Sequence, residues 1–188
     1  VHVDLPRDVL GKSSEFNAPQ KFKLDKNPTA NPESLKVAFD LLCKASKPVI
    51  LAGGGIKNHG AKATNSLLAL AEILNAPCTT SPGHGDLIPY AHPLNAGSAG
   101  PRGSGVGTQL LKEADVILVL GSRLGFNTTF YSYENINKDA AIIHCELDEN
   151  SIGRYFPATV EIFADAASVA DQLFDMLKDH KAKVEVEQ

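Results

Sequence analysis

Apolar residues along the chain fall into two alternating patterns. The first is a short, unbroken apolar run. Pro-Val-Ile-Leu-Ala at 48–52 and Asp-Val-Ile-Leu-Val-Leu-Gly at 115–121 have it, and it marks strands buried on both faces; the segment 140–147 is another strand. Weaker strand candidates lie at 76–80 and 160–163. The second pattern is a helical stripe. Leu35, Val37, Ala38, Leu41, Leu42 and Ala45 share one side of a helix over 32–46, with Asn31 placed to cap it, Pro32 at its first position and Glu33 near its positive end. Further helices are predicted over 60–74, 105–114 and 166–178, the last carrying Val169, Leu173 and Leu177 on one side, with a shorter one over 151–156. Between 81 and 103 the chain reads as a long loop rich in Gly, Pro and His.

The ends read differently. Val-His-Val-Asp-Leu, stopped by Pro6, predicts a strand within 1–10, which suggests the tail of a preceding domain. Residues 11–31 are polar and aperiodic, as a linker would be. Strands alternating with helices over 32–179 predict one α/β domain, a three-layer Rossmann-like arrangement with a parallel sheet and helices on both faces. The charged residues 180–188 read as a frayed tail.

A formal net charge of −4, from 18 Lys and Arg against 22 Asp and Glu, leaves no basic stripe for nucleic acid. No apolar run approaches the ~18 residues of a membrane helix, and the start has neither an initiator Met nor the pattern of a signal peptide. That start is expected for a fragment of a longer protein. Cys43, Cys78 and Cys145 are widely spaced, unlike the close pairs of a structural zinc site, and fit half-buried thiols of a cytoplasmic protein.

Chemistry in a parallel sheet gathers at the carboxyl ends of the strands. Gly53, Gly54 and Gly55 end the first strong strand; they suit close approach of a phosphate or ribose, and equally a tight turn with no ligand. Gly121 and Arg123 follow the strongest strand, where Arg123 is a candidate partner for a pyrophosphate, or a plain surface residue. Glu146 and Asp148 end another strand, as ribose-binding carboxylates or as a helix cap. His84, His92 and Arg102 lie in the long loop without a recognisable nucleophile arrangement, so a polar surface role is the simpler reading.

Taken in order, several segments resemble the acetolactate synthase family of thiamine-diphosphate enzymes. Val1-His-Val-Asp-Leu-Pro-Arg-Asp-Val is similar to the closing strand of that family's pyrimidine-binding domain. Lys47-Pro-Val-Ile-Leu-Ala-Gly-Gly-Gly-Ile56 resembles the first strand and turn of its central domain. Glu113-Ala-Asp-Val-Ile-Leu-Val-Leu-Gly-Ser-Arg-Leu124 resembles its "ADVVLALGTRL" segment. Ala141-Ile-Ile-His-Cys-Glu-Leu-Asp148, Ile152-Gly-Arg and Ile162-Phe-Ala-Asp-Ala166 resemble its closing strands.

The resemblance implies a subunit of three domains, of which this chain is the middle one, with a six-stranded parallel sheet of the topology shared with sirtuins and deoxyhypusine synthase. Such domains bind FAD in acetolactate synthases, bind ADP in oxalyl-CoA decarboxylases, or stay empty. Carried over by position, nucleotide contacts would fall on Gly53, Gly54, Gly55, Thr80, Ser81, Gly100, Pro101, Arg102, Gly121, Arg123, Glu146, Leu147 and Asp165. Two departures bear on FAD: Asn127 stands where the family has a second Arg, and Pro101-Arg102-Gly103 replaces Met-His-Gly, with Arg102 a partial substitute. Thiamine diphosphate and Mg²⁺ would bind elsewhere in the parent, beside the other two domains and in a homo-oligomer. Gly83-His-Gly-Asp86 only echoes the family's Mg²⁺ motif. The implied parent is a 2-oxo acid decarboxylase or carboligase, or a relative of the sulfoacetaldehyde acetyltransferases, and the isolated chain is expected to be inactive. Two rivals stand beside it: a stand-alone NAD-dependent enzyme, opposed by the missing G-x-G-x-x-G, and a purely architectural domain.

Overall fold

The computed structural model describes residues 3–15 and 27–186, with side chains through His180. Its centre is a six-stranded sheet. In chain order the strands are β1 (Pro48–Ala52), β2 (Cys78–Thr80), β3 (Asn95–Ser98), β4 (Val116–Leu120), β5 (Ala141–Glu146) and β6 (Val160–Phe163). All neighbours run parallel, in the spatial order β3-β2-β1-β4-β5-β6. The chain therefore builds outward from β1 to one edge, returns to β4 beside β1, and builds outward to the other. Ala52 pairs with Leu120 at this reversal, which leaves the carboxyl ends of β1 and β4 facing a common opening.

Each strand splits its apolar side chains between two cores, as the period of two requires. Ile50, Leu118 and Ile143 point to one face, where α2 (Pro32–Lys44), α4 (Gly60–Leu74) and α7 (Ala166–Val186) cover them. Leu51, Ile117, Val119 and Ile142 point to the other, where α5 (Gly105–Glu113) contributes Leu111. The rest of that second cover is not helix: Leu124, Ile136 and Phe156, all but fully buried, come from irregular chain.

The predicted cap at Asn31 forms: its side chain accepts from the Glu33 N–H at 2.9 Å with Pro32 at the helix start. Ser104, not foreseen as a cap, holds the start of α5 through the Gly107 N–H. Val37, by contrast, sits on the outer side of α2, half exposed, so the buried stripe is Leu35, Ala38 and Leu42.

Several elements differ from expectation. The predicted strand within 1–10 is absent over its described part. Residues 3–6 pair with no strand, and α1 (Arg7–Leu10) is one helical turn in which the Val9 and Leu10 N–H groups bond to the Pro6 carbonyl. Every residue from Val3 to Leu10 is exposed. A strand needs a neighbour for its backbone groups, and this segment meets no sheet. The linker expected over 11–31 lies partly outside the described residues; its end packs, with Ala30 buried and Asn27 bonded to Asp165 at 3.2 Å. The long loop conceals β3, too short and too Gly-rich to show an apolar run. Two more single turns, α3 (Gly54–Lys57) and α6 (Phe126–Thr129), also lack a periodic signal. The helix expected over 151–156 is a 3₁₀ turn at Glu149–Ser151, ended by Gly153 at φ +67°. The closing helix runs to Val186, into the segment read as tail. The thiols are not half-buried: Cys78 and Cys145 are buried and Cys43 is exposed.

Candidate functional site

The opening at the reversal is shaped by backbone before side chains. The Gly53 N–H bonds to the Leu120 carbonyl at 2.9 Å, and the Gly55 N–H to the Gly121 carbonyl at 3.0 Å. The two strand-to-helix turns therefore lie directly against one another. A Cβ on Gly55 would stand 2.6 Å from the Gly121 Cα, and one on Gly53 would run into the Gly121 carbonyl. Gly121 itself holds φ +63°. Packing alone thus accounts for Gly53, Gly55 and Gly121. Gly54 differs, because its missing Cβ makes room for the His84 ring, whose Cε1 and Nε2 would be 3.2 Å away.

Above this floor lies a cavity of about 380 Å³, within the range of small-ligand sites. Its walls come from four strand ends. The β1 turn brings Gly54, Gly55 and Asn58, and the chain after β2 brings Ser81 and His84. Gly121 to Thr128, after β4, supply Ser122, Arg123 and Gly125, while β5 ends at Glu146 and Leu147. A second cavity of about 380 Å³ opens on the same two loops, lined by Pro82, Gly83 and Asn127 with Ser98 and Arg102. Arg123 and Arg102 thus stand in different cavities. Both are exposed, and neither makes a hydrogen bond or ion pair with a described residue.

Of the residues expected at a nucleotide site, the first cavity gathers Gly54, Gly55, Ser81, Gly121, Arg123, Glu146 and Leu147. Gly53 and Thr80 are buried beneath it, the Thr80 hydroxyl 3.0 Å from that of Ser98. Gly100, at φ +103°, lets the Asn127 carbonyl lie against it, where a Cβ would collide. Pro101 is exposed and lines neither cavity. Asp165 lies apart. It caps α7 through the Ser168 N–H at 2.9 Å, and its other oxygen is 2.6 Å from His59 Nε2. Asp148 caps the 3₁₀ turn after β5, accepting from the Asn150 N–H and the Ser151 hydroxyl. The Glu146 carboxylate accepts from the Leu147 N–H at 2.9 Å.

Ser122 and His144 were not expected at the site from the sequence. The expected Ser81 donates to the Ser122 hydroxyl at 2.8 Å, joining the loops after β2 and β4. Below them His144, fully buried in β5, accepts from the Gly153 N–H on Nδ1 at 3.2 Å and so donates from Nε2 to the Ser122 carbonyl at 2.8 Å. Burial pushes this imidazole below its ordinary pKa, against the opposing pull of the Ser122 carbonyl and of Glu146 and Glu161. His144 is a bolt between the loops after β4 and β5. A lone polar residue inside an apolar strand is the signal that could have marked it.

Among the described residues His144, His92 and His84 do not assemble nucleophilic chemistry. His144 bonds the Ser122 carbonyl rather than its hydroxyl. His92 lies 3.2 Å from Glu72, outside the cavities. His84 faces the first cavity with Nδ1 buried and unpartnered. Asp86 is turned outward onto Lys57 at 2.9 Å, and that contact holds its carboxyl below the usual range. Among the described residues no three His, Cys, Asp or Glu side chains converge as a metal site would need, and no helix is long and apolar enough to cross a membrane.

A parallel sheet of this order, with an open polar cavity at its reversal, is a three-layer Rossmann-like α/β domain. Residues 35–173 match the family described as "Thiamine pyrophosphate enzyme, central domain", and the chain belongs to that family. It is 39% identical over 170 residues to the sulfoacetaldehyde acetyltransferase of Rhodobacter capsulatus, covering 89% of this chain and 28% of the relative. A probable acetolactate synthase large subunit of Methanococcus aeolicus is 36% identical over 184 residues, covering 94% and 30%. The acetolactate synthase large subunit of Buchnera aphidicola is 32% identical over 187 residues, covering 95% and 32%. The chain therefore spans about three-tenths of the length of these relatives.

Proposed function

We propose that these residues are the middle domain of a larger thiamine-diphosphate-dependent enzyme that decarboxylates a 2-oxo acid and transfers the remaining two-carbon unit to a second acceptor. The acceptor is a second 2-oxo acid in an acetolactate synthase-like parent; in an acetyltransferase-like parent the two-carbon unit would come instead from a sulfonated aldehyde, with sulfite leaving in place of CO2 and phosphate accepting the acetyl group. When bound, thiamine diphosphate supplies the carbanion chemistry. The residues here do not fit that cofactor or its Mg²⁺, since Asp86, the echo of the metal motif, is exposed and taken by Lys57. Both would sit with the parent's other two domains, in a cytoplasmic homo-oligomer.

Within this division of labour the middle domain cradles an adenine nucleotide, FAD or ADP, at the reversal of the sheet. The single observation that carries this reading is Arg123: an exposed guanidinium with no hydrogen bond or close ion pair to a described residue, though within electrostatic reach of Asp148, on the lip of a cavity of about 380 Å³ whose far wall ends in Glu146. Such a pair suits an anionic phosphate on one side and a ribose hydroxyl on the other. A second reading, an architectural domain with no ligand, is favoured by the packing of Gly53, Gly55 and Gly121, which accounts for those glycines unaided.

Thermal unfolding of the chain with FAD, ADP, NAD and thiamine diphosphate in parallel separates the two. Saturation at a hundred times the dissociation constant adds about 2.7 kcal/mol, a rise of roughly 5–11 °C for a domain of this size. A rise with FAD or ADP alone is expected. No rise with any of them favours the architectural domain, and a rise with NAD alone sinks the proposal.

A further inference from the structure

Within the loop that carries Arg123, one buried hydroxyl joins the two ends of a turn otherwise closed by backbone hydrogen bonds. Three non-glycine residues in this short stretch adopt left-handed backbone: Leu124 at φ +50°, Phe130 at +51° and Tyr131 at +55°. Side chains disfavour that region, and a cluster of such residues persists only where surrounding contacts over-determine it. Those contacts converge on Thr129, which is 0% exposed. Its Oγ1 donates to the Leu124 carbonyl at 3.1 Å, with the Gly125 carbonyl at 3.3 Å, and accepts from the Tyr131 N–H at 3.1 Å. The Thr129 carbonyl in turn accepts from Asn135 at 3.0 Å. One side chain thus ties the residue following Arg123 to the far end of the turn. Beyond the knot, Phe126 stacks on Phe130 with centroids 4.6 Å apart, and Tyr131 stacks on Tyr155 at 4.2 Å.

We propose that Thr129 is a positioning residue for the crevice. By locking residues 124–131 it fixes where Arg123 and Thr128 stand on the cavity lip, so that ligand binding need not order them. Thr129 is too deep to touch a ligand itself; it acts through Arg123. The inference rests on the nucleotide reading above.

Two variants of the same chain test it. Thr129→Val keeps the shape and removes the hydroxyl, and Thr129→Ser keeps the hydroxyl. Calorimetric titration with ADP and with FAD is expected to show Thr129→Val weakened about fivefold to tenfold, as the loss of one or two neutral hydrogen bonds permits, with Thr129→Ser within about twofold of the parent. In an Arg123→Ala background the Val substitution should cost less than about twofold, the non-additivity expected of residues acting as a unit. A purely structural Thr129 would instead weaken binding alike in both backgrounds, which would overturn the proposal. Amide hydrogen exchange decides the case without a ligand: Thr129→Val should lose protection over 122–131 and not over the strands. Unchanged protection there refutes the lock. Should the unaltered chain bind neither nucleotide, the nucleotide reading falls, while exchange still decides whether Thr129 holds the lip.

Discussion

Gly55 and Gly121 touch backbone to backbone. The Gly55 N–H donates to the Gly121 carbonyl at 3.0 Å, and a Cβ placed on Gly121 would lie 2.5 Å from the Gly55 Cα. The first turn of the domain and the turn after its central strand are thereby fastened at the point where the strand order reverses. The cavity exists above them because neither turn carries a side chain that would prop them apart.

Gly121→Ala is accordingly expected to destabilise the chain by about 2–4 kcal/mol, combining overpacking with a left-handed backbone. Gly55→Ala should cost about 1–3 kcal/mol from overpacking alone. Gly54→Ala meets only the His84 ring, which can move, and should cost less than either. Urea denaturation midpoints at constant slope rank the three; a Gly121→Ala protein as stable as the parent would contradict the close approach.

Acid should loosen the bolt at His144. Burial favours its neutral form, so the folded pKa lies below the ordinary 6.5. Between those values the unfolded chain holds a proton that the folded chain does not, and stability rises with pH. The contribution is complete above about 6.5 and is lost as pH falls through the folded pKa. His144→Gln can still donate to the Ser122 carbonyl and accept from Gly153, yet does not titrate. Its stability should therefore fall less steeply than the parent's between pH 7 and pH 5, followed by chemical denaturation. Parallel curves would assign the acid sensitivity to other groups.

Arg123→Ala should change melting little in the absence of ligand, because the exposed guanidinium makes no hydrogen bond or close ion pair with a described residue and only a solvent-screened attraction to Asp148 is lost. It should weaken FAD or ADP by about tenfold to a hundredfold, the usual range for a charge-assisted hydrogen bond. Arg102→Ala, in the second cavity, reports whether a ligand spans both. A nucleotide held equally well by the Arg123 variant would place the anion elsewhere.

Thiol labelling distinguishes the cysteines. Burial pushes Cys78 up to about 12 and Cys145 upward as well, whereas Cys43 is exposed on α2 and raised more modestly, by partial burial and then by Asp40. One thiol should react promptly with an aromatic disulfide reagent at pH 8, and three in denaturant, since only accessible thiolate attacks. Prompt reaction of a second thiol in the native chain would mean that the sheet opens.

The sequence determined by itself whatever depends on neighbours a few residues apart. Apolar runs gave β1, β4 and, interrupted by His144, β5, because a strand covered on both faces tolerates few polar side chains. The Asn31-Pro32-Glu33 start gave α2, because capping is local. Gly53, Gly54 and Gly55 marked a turn at a strand end, with ligand and packing left open. Tertiary structure decided the rest. β3 is a strand because β2 pairs with it, not because Asn-Ala-Gly-Ser is apolar. Residues 3–10 form no strand because no sheet edge meets them. The resemblance assigned Arg123 and Arg102 to one nucleotide site, yet the fold sets them in separate cavities. His144 joins the site through a partner 22 residues away in the chain, a distance over which local pattern carries no information; the partners of Thr129 lie within six residues, but in an irregular turn whose backbone no periodic pattern announces.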